Sequence, residues 1–280
     1  MPGNGKTVME AVRAADPDRY LSALYAPDDK RDALFALYAF NAEIAGVRDR
    51  IREALPGEVR LQWWRNVIAA GGGEGAAGHP LAEALCRAIA ESRLPKQAFD
   101  NYIEARIFDL YDDPMPTRTD LEGYCGETAS ALIQLAALAL DEDEAPRFAE
   151  LAGRAGCAQA ITGLLLLLPR HRVRGQCYVP ADILASVGCS PQEFLSGDGG
   201  PNALHAVAAM IALARDHLAA FEQGAGSLPQ SLRPAFLPLA LTRAYLDRVE
   251  RAGASVLRKS LRLPLWRRHW LLLRRATRGW

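Results

Sequence analysis

The sequence carries no excess of charge of either sign: 33 lysines and arginines stand against 33 aspartates and glutamates in 280 residues. That balance argues against a general nucleic-acid binder, which needs a basic footprint. It also has no C-x-x-C pair. The five cysteines, at 86, 125, 157, 177 and 189, are odd in number and unpatterned. They read as free thiols in a reducing compartment, not as a disulfide frame or a zinc site. The opening stretch, MPGNGKTVMEAVRAADPD, lacks the apolar centre of a secretory signal. The longest apolar run, around 161–168, falls far short of the ~18 residues that a spanning helix needs. No segment sustains strand alternation and no internal repeat is present. These absences predict a soluble cytoplasmic protein. A peripheral contact with the inner face of the cytoplasmic membrane stays open.

Half of the residues are hydrophobic, which allows a sizeable core. Asp16-Pro17 pairs a helix N-cap with proline at the first helical position, and Pro27-Asp28-Asp29 starts a longer helix in the same way. Ala33, Leu37, Phe40, Ile44, Val47 and Ile51 recur at spacings of four and three, one apolar stripe on an amphipathic helix. Pro56-Gly57 is expected to break it, with a new helix over 58–70. The glycine-rich stretch 71–78 reads as a flexible loop, short enough to join helices of one domain. Helices follow over 80–92, 96–111, 118–140 and 144–168, punctuated by prolines 95, 114, 116 and 146. The acidic turn 141–144 suits the start of a helix. Short turns fill 181–197, a loop spans 197–200, a helix covers 202–223, and the chain is helical again from about 230. The predicted class is all-α, as a single domain over 1–280. Gly3-Asn4-Gly5-Lys6-Thr7 looks like the end of a phosphate-binding loop, but no strand fits before it.

The stretch Ala158–Pro180, AQAITGLLLLLPRHRVRGQCYVP, starts as a helix and ends as a basic loop closed by Gly175, Tyr178 and Pro180. It resembles the second signature of the squalene/phytoene synthase family. That signature holds an Asn, two Asp residues four apart, and a Gly-Arg-x-Tyr-Leu-Pro ending. Here the ending is Gly175-Gln176-Cys177-Tyr178-Val179-Pro180. The Asn place is Gly163, and the two Asp places are Leu167 and His171. The first signature shows the same loss. Pro27, Arg31 and Leu37-Tyr38-Ala39-Phe40 resemble the family's opening helix. Where its members continue with Cys-Arg-x-x-Asp-Asp-x-x-Asp, this chain has Asn41, Ala42, Ala45, Gly46 and Asp49.

The resemblance runs from about Tyr20 into the 240s. It implies an isoprenoid-synthase-like helical bundle, with the two signatures facing each other across a central cavity. It also implies Arg31, Tyr38, Asn41, Asp49 and Tyr178 as cavity or ligand positions. For Arg31, Tyr38 and Tyr178 the alternative is packing and hydrogen bonding inside the bundle. Family enzymes join two prenyl diphosphates head to head, with Mg²⁺ bridging the departing phosphate to carboxylates. Carboxylates four apart share one helix face, and magnesium demands hard oxygen ligands. Leu167 offers none and neutral His171 is a poor one. No catalytic residue, metal ligand or cofactor is therefore expected; magnesium enters only if the chain is an enzyme after all.

The departures resemble one branch of the family, that of the respiratory complex I assembly factors. The residues carrying this are Phe40-Asn41-Ala42-Glu43, Thr162-Gly163-Leu164-Leu165, FDLYDDP at 108–114, GETASALIQLA at 126–136 and the PGEVRLQWWRNVI stretch. Two readings follow. One is a non-catalytic assembly or interaction factor for complex I, whose cavity could still take a prenyl or lipid chain. The other is a magnesium-dependent transferase condensing prenyl diphosphates.

Several further residues have a sharp and a plain meaning. Asp109 and Asp113 mimic a metal pair, but Asp113 precedes Pro114 and suits a frayed helix end. Asp49 and Glu53, flanked by Arg48, Arg50 and Arg52, suit a solvated or salt-bridged face better than a relict metal site. Trp63 and Trp64 point about 100° apart on a helix, so one belongs to the core and the other is a partner-contact candidate. Arg170, Arg172 and Arg174 around His171 could grip a diphosphate or simply form an exposed basic loop. His79, His205, His217 and His269 share no spacing and receive no role. From Arg258 to Trp280 the chain is basic without a single acid. Trp266, Arg267, Arg268 and Trp270 sit among leucines there. That mixture suits an anionic bilayer surface, or a last helix packed on the bundle with its arginines in water.

Overall fold

The computed structural model of the chain describes residues 3–197 and 199–280. Met1, Pro2 and Asp198 lie outside the described residues, so the first two residues of the opening stretch and one residue of the loop expected at 197–200 lie there too. Every regular element among the described residues is helical. The α-helices are α1 (Gly3–Ala15), α2 (Pro17–Ala23), α3 (Asp28–Ala45), α4 (Ala54–Ala70), α5 (Pro80–Glu91), α6 (Lys96–Ile107), α7 (Arg118–Cys125) and α8 (Ala131–Leu140). They continue as α9 (Ala149–Leu166), α10 (Leu168–Val173), α11 (Ala181–Ser186), α12 (Pro191–Ser196), α13 (Pro201–Gly224), α14 (Arg233–Phe236), α15 (Thr242–Ala252) and α16 (Leu265–Arg278).

Local chemistry explains the boundaries that were legible. Asp16 caps α2, accepting from the Arg19 amide at 3.0 Å, with Pro17 in the first turn. Thr117 and Asp120 form a reciprocal capping box at the start of α7. Helix α7 then runs through a π-helical turn, Gly126–Ser130, straight into α8. The expected helix over 118–140 is thus continuous, with one wider turn inside it.

The phosphate-loop look-alike, Gly3–Thr7, is no such loop, as the missing strand implied, but the first turn and a half of α1. Three expectations are corrected. Helix α3 is not amphipathic: Leu34 to Phe40 are buried without interruption, so the helix runs through the core between α1, α5 and α8. It ends at Ala45, and Ile51 lies beyond it. Pro56 does not start a new break, because it falls in the first turn of α4, where an amide has no intrahelical partner to lose. The basic loop after Leu168 is helix α10, which places Arg170, His171 and Arg172 on a rigid turn.

Two layers meet at α9. Its small residues Ala152, Ala155, Gly156 and Ala158 are buried and let α13 and the π-helical turn approach closely. Helix α13 is long and apolar enough to cross a membrane by length and composition, yet half of its most apolar window is buried against the rest of the protein. All five cysteines are free and buried.

Two glycines on α9 should respond oppositely to alanine. A Cβ on Gly156 would overlap the Ser130 backbone, whereas one on Gly163 meets nothing within 4 Å. Gly156→Ala is expected to lower stability by about 1–3 kcal/mol. Gly163→Ala should be neutral or raise it by up to about 1 kcal/mol, because alanine favours helix. Urea unfolding midpoints of the two variants check this.

Candidate functional site: a cavity between two altered signatures

A cavity of about 310 Å³ opens between α2, α3, α6, α7, α9 and the segment leading into α15. Asn41 and Ala45, on the last turns of α3, share it with Gly163 and Leu167 at the end of α9. Its polar rim comes from Asp16, Asp18, Arg19, Arg106, Tyr124 and Gln159. Each of these rim groups is already engaged. Arg19 binds Asp16 at 2.5 Å and Gln159 at 3.0 Å. Asp18 is held by Arg268 of α16 at 2.5 Å; burial pushes the Asp18 carboxyl up, and Arg268 offsets part of that.

One turn beyond Ala45 and Leu167, the two signatures touch through charge. The Asp49 carboxylate accepts from both Arg170 and Arg174 of the second signature. The arginines next to Asp49 in sequence go elsewhere: Arg50 to Glu43, and Arg48 to Asp112 at 2.9 Å. The expected salt-bridged face at Asp49 is real, but its partners lie more than a hundred residues away. Arg172 donates to the backbone carbonyls of Leu195 at 3.0 Å and Leu257 at 3.1 Å, tying α10 to later parts of the chain. His171, expected at a basic surface, is 7 % exposed and packs tilted against Tyr178, with 4.7 Å between ring centres. Burial drops its pKa from 6.5 to about 4; the Asp109 charge opposes the drop, and Arg174 and Arg170 reinforce it.

The donor set fits magnesium poorly. Ala45 and Leu167 have no oxygen, His171 is buried and neutral, and the Asp49 carboxylate is shared between two guanidinium groups that would repel a cation. Among the described residues no three His, Cys, Asp or Glu side chains come together in a way that could hold a metal ion.

A buried, fully engaged carboxylate is one the sequence left as a frayed end. Asp109 is 8 % exposed. It accepts from the Tyr178 hydroxyl at 2.7 Å, the Tyr124 hydroxyl at 2.8 Å and Arg106 at 3.0 Å. Gln176 holds the Asp109 carbonyl at 2.8 Å. Arg106 also reaches the Tyr102 hydroxyl at 3.3 Å, which itself donates to Asn41 at 2.7 Å. Burial disfavours the Arg106 cation, but Tyr102, Tyr124 and Asp109 outweigh it and hold its pKa well above the usual arginine value. A buried polar chain therefore runs from Asn41 through Tyr102, Arg106 and Asp109 to Tyr178. The spacing of four that paired Asp109 with Asp113 did not mark this role, because the partners of Asp109 come from α6, α7 and the segment after α10.

The remaining expected positions divide. Tyr38 is 2 % exposed, with its ring beneath the Arg19 guanidinium at 5.9 Å. Arg31 stays away from the cavity and donates to the Ala26 and Leu24 carbonyls at 2.9 Å each, closing the turn before α3. Tyr178 stands behind the cavity wall, in the Asp109 network. Trp64 is buried edge-on against Phe40 at 5.4 Å, while Trp63 is half-buried, as their angular offset predicts. Both rings contact His79, whose Nδ1 caps α5 by accepting from the Ala82 amide at 3.2 Å. His217 is also buried, 2.9 Å from Glu122.

With this geometry in place, the chain can be compared with known proteins. The squalene/phytoene synthase family model matches residues 12–267. The chain belongs to the squalene/phytoene synthase family. Among curated relatives, it is 28 % identical over 270 residues to complex I assembly factor 6 of Bos taurus, covering 94 % of this chain and 80 % of that one. It is 26 % identical over 264 residues to 15-cis-phytoene synthase of Synechococcus elongatus, covering 89 % and 84 %. A solved dehydrosqualene synthase in complex with a ligand superposes with a TM-score of 0.85 at 16 % identity, covering 98 % of this chain and 95 % of that one. That likeness gives the fold, the isoprenoid-synthase helical bundle. Within this fold Asn41 and Ala45 of α3 and Gly163 and Leu167 at the end of α9 line one cavity.

Two outcomes test this site. Asp109→Asn should cost about 3–5 kcal/mol, because it leaves buried Arg106 without its charge partner; chemical denaturation reads it. For His171, the folded chain stays neutral while the unfolded chain takes up a proton below pH 6.5. Its contribution is therefore full above pH 6.5 and is lost as pH falls towards 4. His171→Leu should flatten the fall in stability between pH 7 and pH 4.5, by at most about 3 kcal/mol.

Proposed function

We propose that this chain is a non-catalytic member of the squalene/phytoene synthase family that serves in the assembly of respiratory complex I. The single observation carrying the reading is the Asp49 clamp: the surviving carboxylate of the first signature is held by Arg170 and Arg174 of the second. The departing diphosphate of the family reaction needs cations that carboxylates bring to it. Here the facing positions are Ala45, Gly163 and Leu167, and the nearest carboxylate is spent on arginines. The similarity to the bovine assembly factor along nearly the whole chain supports the same role.

The cavity is retained, and in this reading it holds a prenyl or other lipid chain without turning it over. Leu164, Leu166, Leu167 and Leu241 supply apolar wall, and Arg106, whose Nε has no hydrogen-bond partner among the described residues, lies at the polar end. The second reading, a transferase condensing prenyl diphosphates, is favoured by the similarity to phytoene synthase. It would require magnesium held by a donor set that the clamp leaves without a free carboxylate.

The separating experiment is an incubation of the purified chain with farnesyl or geranylgeranyl diphosphate and Mg²⁺. Diphosphate release should stay at background, and Ala45→Asp, Leu167→Asp and His171→Asp together should create no turnover; any loss of stability should come from His171→Asp, the one buried position of the three, where an unpaired carboxylate is costly. Magnesium-dependent product lost in Asp49→Ala would reverse the order of the two readings. The assembly role is read in the source organism, where deletion should lower NADH:quinone oxidoreductase activity and leave smaller complex I intermediates on native gels. Normal complex I in the deletion strain would remove it.

A further inference from the structure

Helix α16 presents three different faces. Its inner face packs on the bundle through Leu272, buried against Leu237 and Leu241, and through Arg268, bound to Asp18 at the cavity rim. Its outer face is apolar and exposed: Leu265 is 64 % exposed, Trp266 72 %, Trp270 54 % and Leu273 50 %. Trp266, Trp270 and Leu273 follow one another at four and three residues, a single stripe along the helix. Trp280 is not part of it, being docked edge-on against Phe221 at 4.7 Å.

The third face, toward α15, borders a hollow of about 170 Å³. Arg243, Arg267, Arg274 and Arg275 line it, with one acid, Asp247. That acid already binds Arg215 at 2.9 Å, and the nearby Glu222 is taken by Arg243. With Arg243 paired to Glu222 and Asp247 to Arg215, the guanidinium groups of Arg267, Arg274 and Arg275 leave the hollow positive. The crowding is felt by Arg275, whose pKa is lowered first by burial and then, against the opposing pull of Glu222, by Arg274 and Arg243. The hollow and the apolar stripe are joined through Arg274, whose guanidinium lies 5.5 Å over the Trp270 ring.

We propose that this hollow binds the phosphate of an anionic phospholipid, with the Trp266–Trp270–Leu273 stripe seated in the bilayer surface beside it. Guanidinium groups match phosphate oxygens with forked hydrogen bonds, and a phosphodiester would supply the negative charge that the hollow lacks. A free phosphate would satisfy the same arginines. The stripe selects the lipid-borne group, because tryptophan and leucine next to arginine favour the boundary between headgroups and acyl chains. Exposed Lys259, Arg262 and Arg278 add attraction to an anionic surface at longer range. The site goes beyond the assembly role and does not depend on it.

The test is flotation of the full chain with vesicles of phosphatidylcholine alone or phosphatidylcholine mixed with phosphatidylglycerol. Binding should require the anionic lipid and weaken with salt. Arg267→Gln and Arg274→Gln should each reduce it about fivefold. The Arg267→Lys/Arg274→Lys variant, which keeps both charges, should bind more strongly than the glutamine pair. Trp266→Ser with Trp270→Ser should reduce binding while thermal melting shows the fold intact. Soluble glycerophosphoglycerol should compete weakly and inorganic phosphate not at all at millimolar concentration. Equal binding to neutral vesicles, unchanged binding of the double glutamine variant, or full displacement by inorganic phosphate would overturn the proposal. Capture of an acidic protein in the absence of any vesicle binding would overturn it as well.

Discussion

The contact of Asp49 with Arg170 and Arg174 joins the first half of the chain to the second, one turn beyond the cavity that Ala45 and Leu167 share. Arg170 of α10 and Arg174 just after it satisfy that carboxylate from within the chain, so an ion pair links the end of α3 to the segment after α9. The Asn41–Tyr102–Arg106–Asp109–Tyr178 chain does similar work behind the cavity wall, because every charged member of it has a partner from another helix.

The cavity's own carboxylates, Asp16 and Asp18, are both tied to arginines of the chain. The polar chain gives the interior a unique arrangement, since a buried charge tolerates few alternative partners. The outer surfaces are then free to differ. Helix α16 shows how: its inner face closes over Leu237 and Leu241 and reaches the cavity rim through Arg268, while its outer face carries tryptophans that the bundle does not use. Anything that moves α16 acts on Asp18, and so on one wall of the cavity.

Much of the fold was legible because helix boundaries are written in short-range chemistry. Asp16-Pro17 and the helix over 118–140 needed only neighbours within a few residues to be recognised. The resemblance at Phe40–Glu43 and Thr162–Leu165 then placed the two signatures together. The misread elements share one cause. Helix α3 looked amphipathic because its stripe is apolar, yet Leu34, Phe35 and Ala36 are buried by α1, α5 and α8, which no local window reveals. Pro56 looked like a break because its position within the first turn of α4 was unknown. Asp109 looked like a frayed end because its three donors are separated from it by 3, 15 and 69 residues.

The sequence by itself determined the all-α class and the odd, unpaired set of thiols, since each depends on residue type and near spacing. Only the tertiary structure decided what the remaining charges do. Which arginine meets Asp49, whether His171 is solvated or buried, and which side of α16 faces outward all depend on the packing of helices far apart in the chain. Charge energetics follow distance and burial in space, and a sequence specifies neither until the fold has brought its ends together.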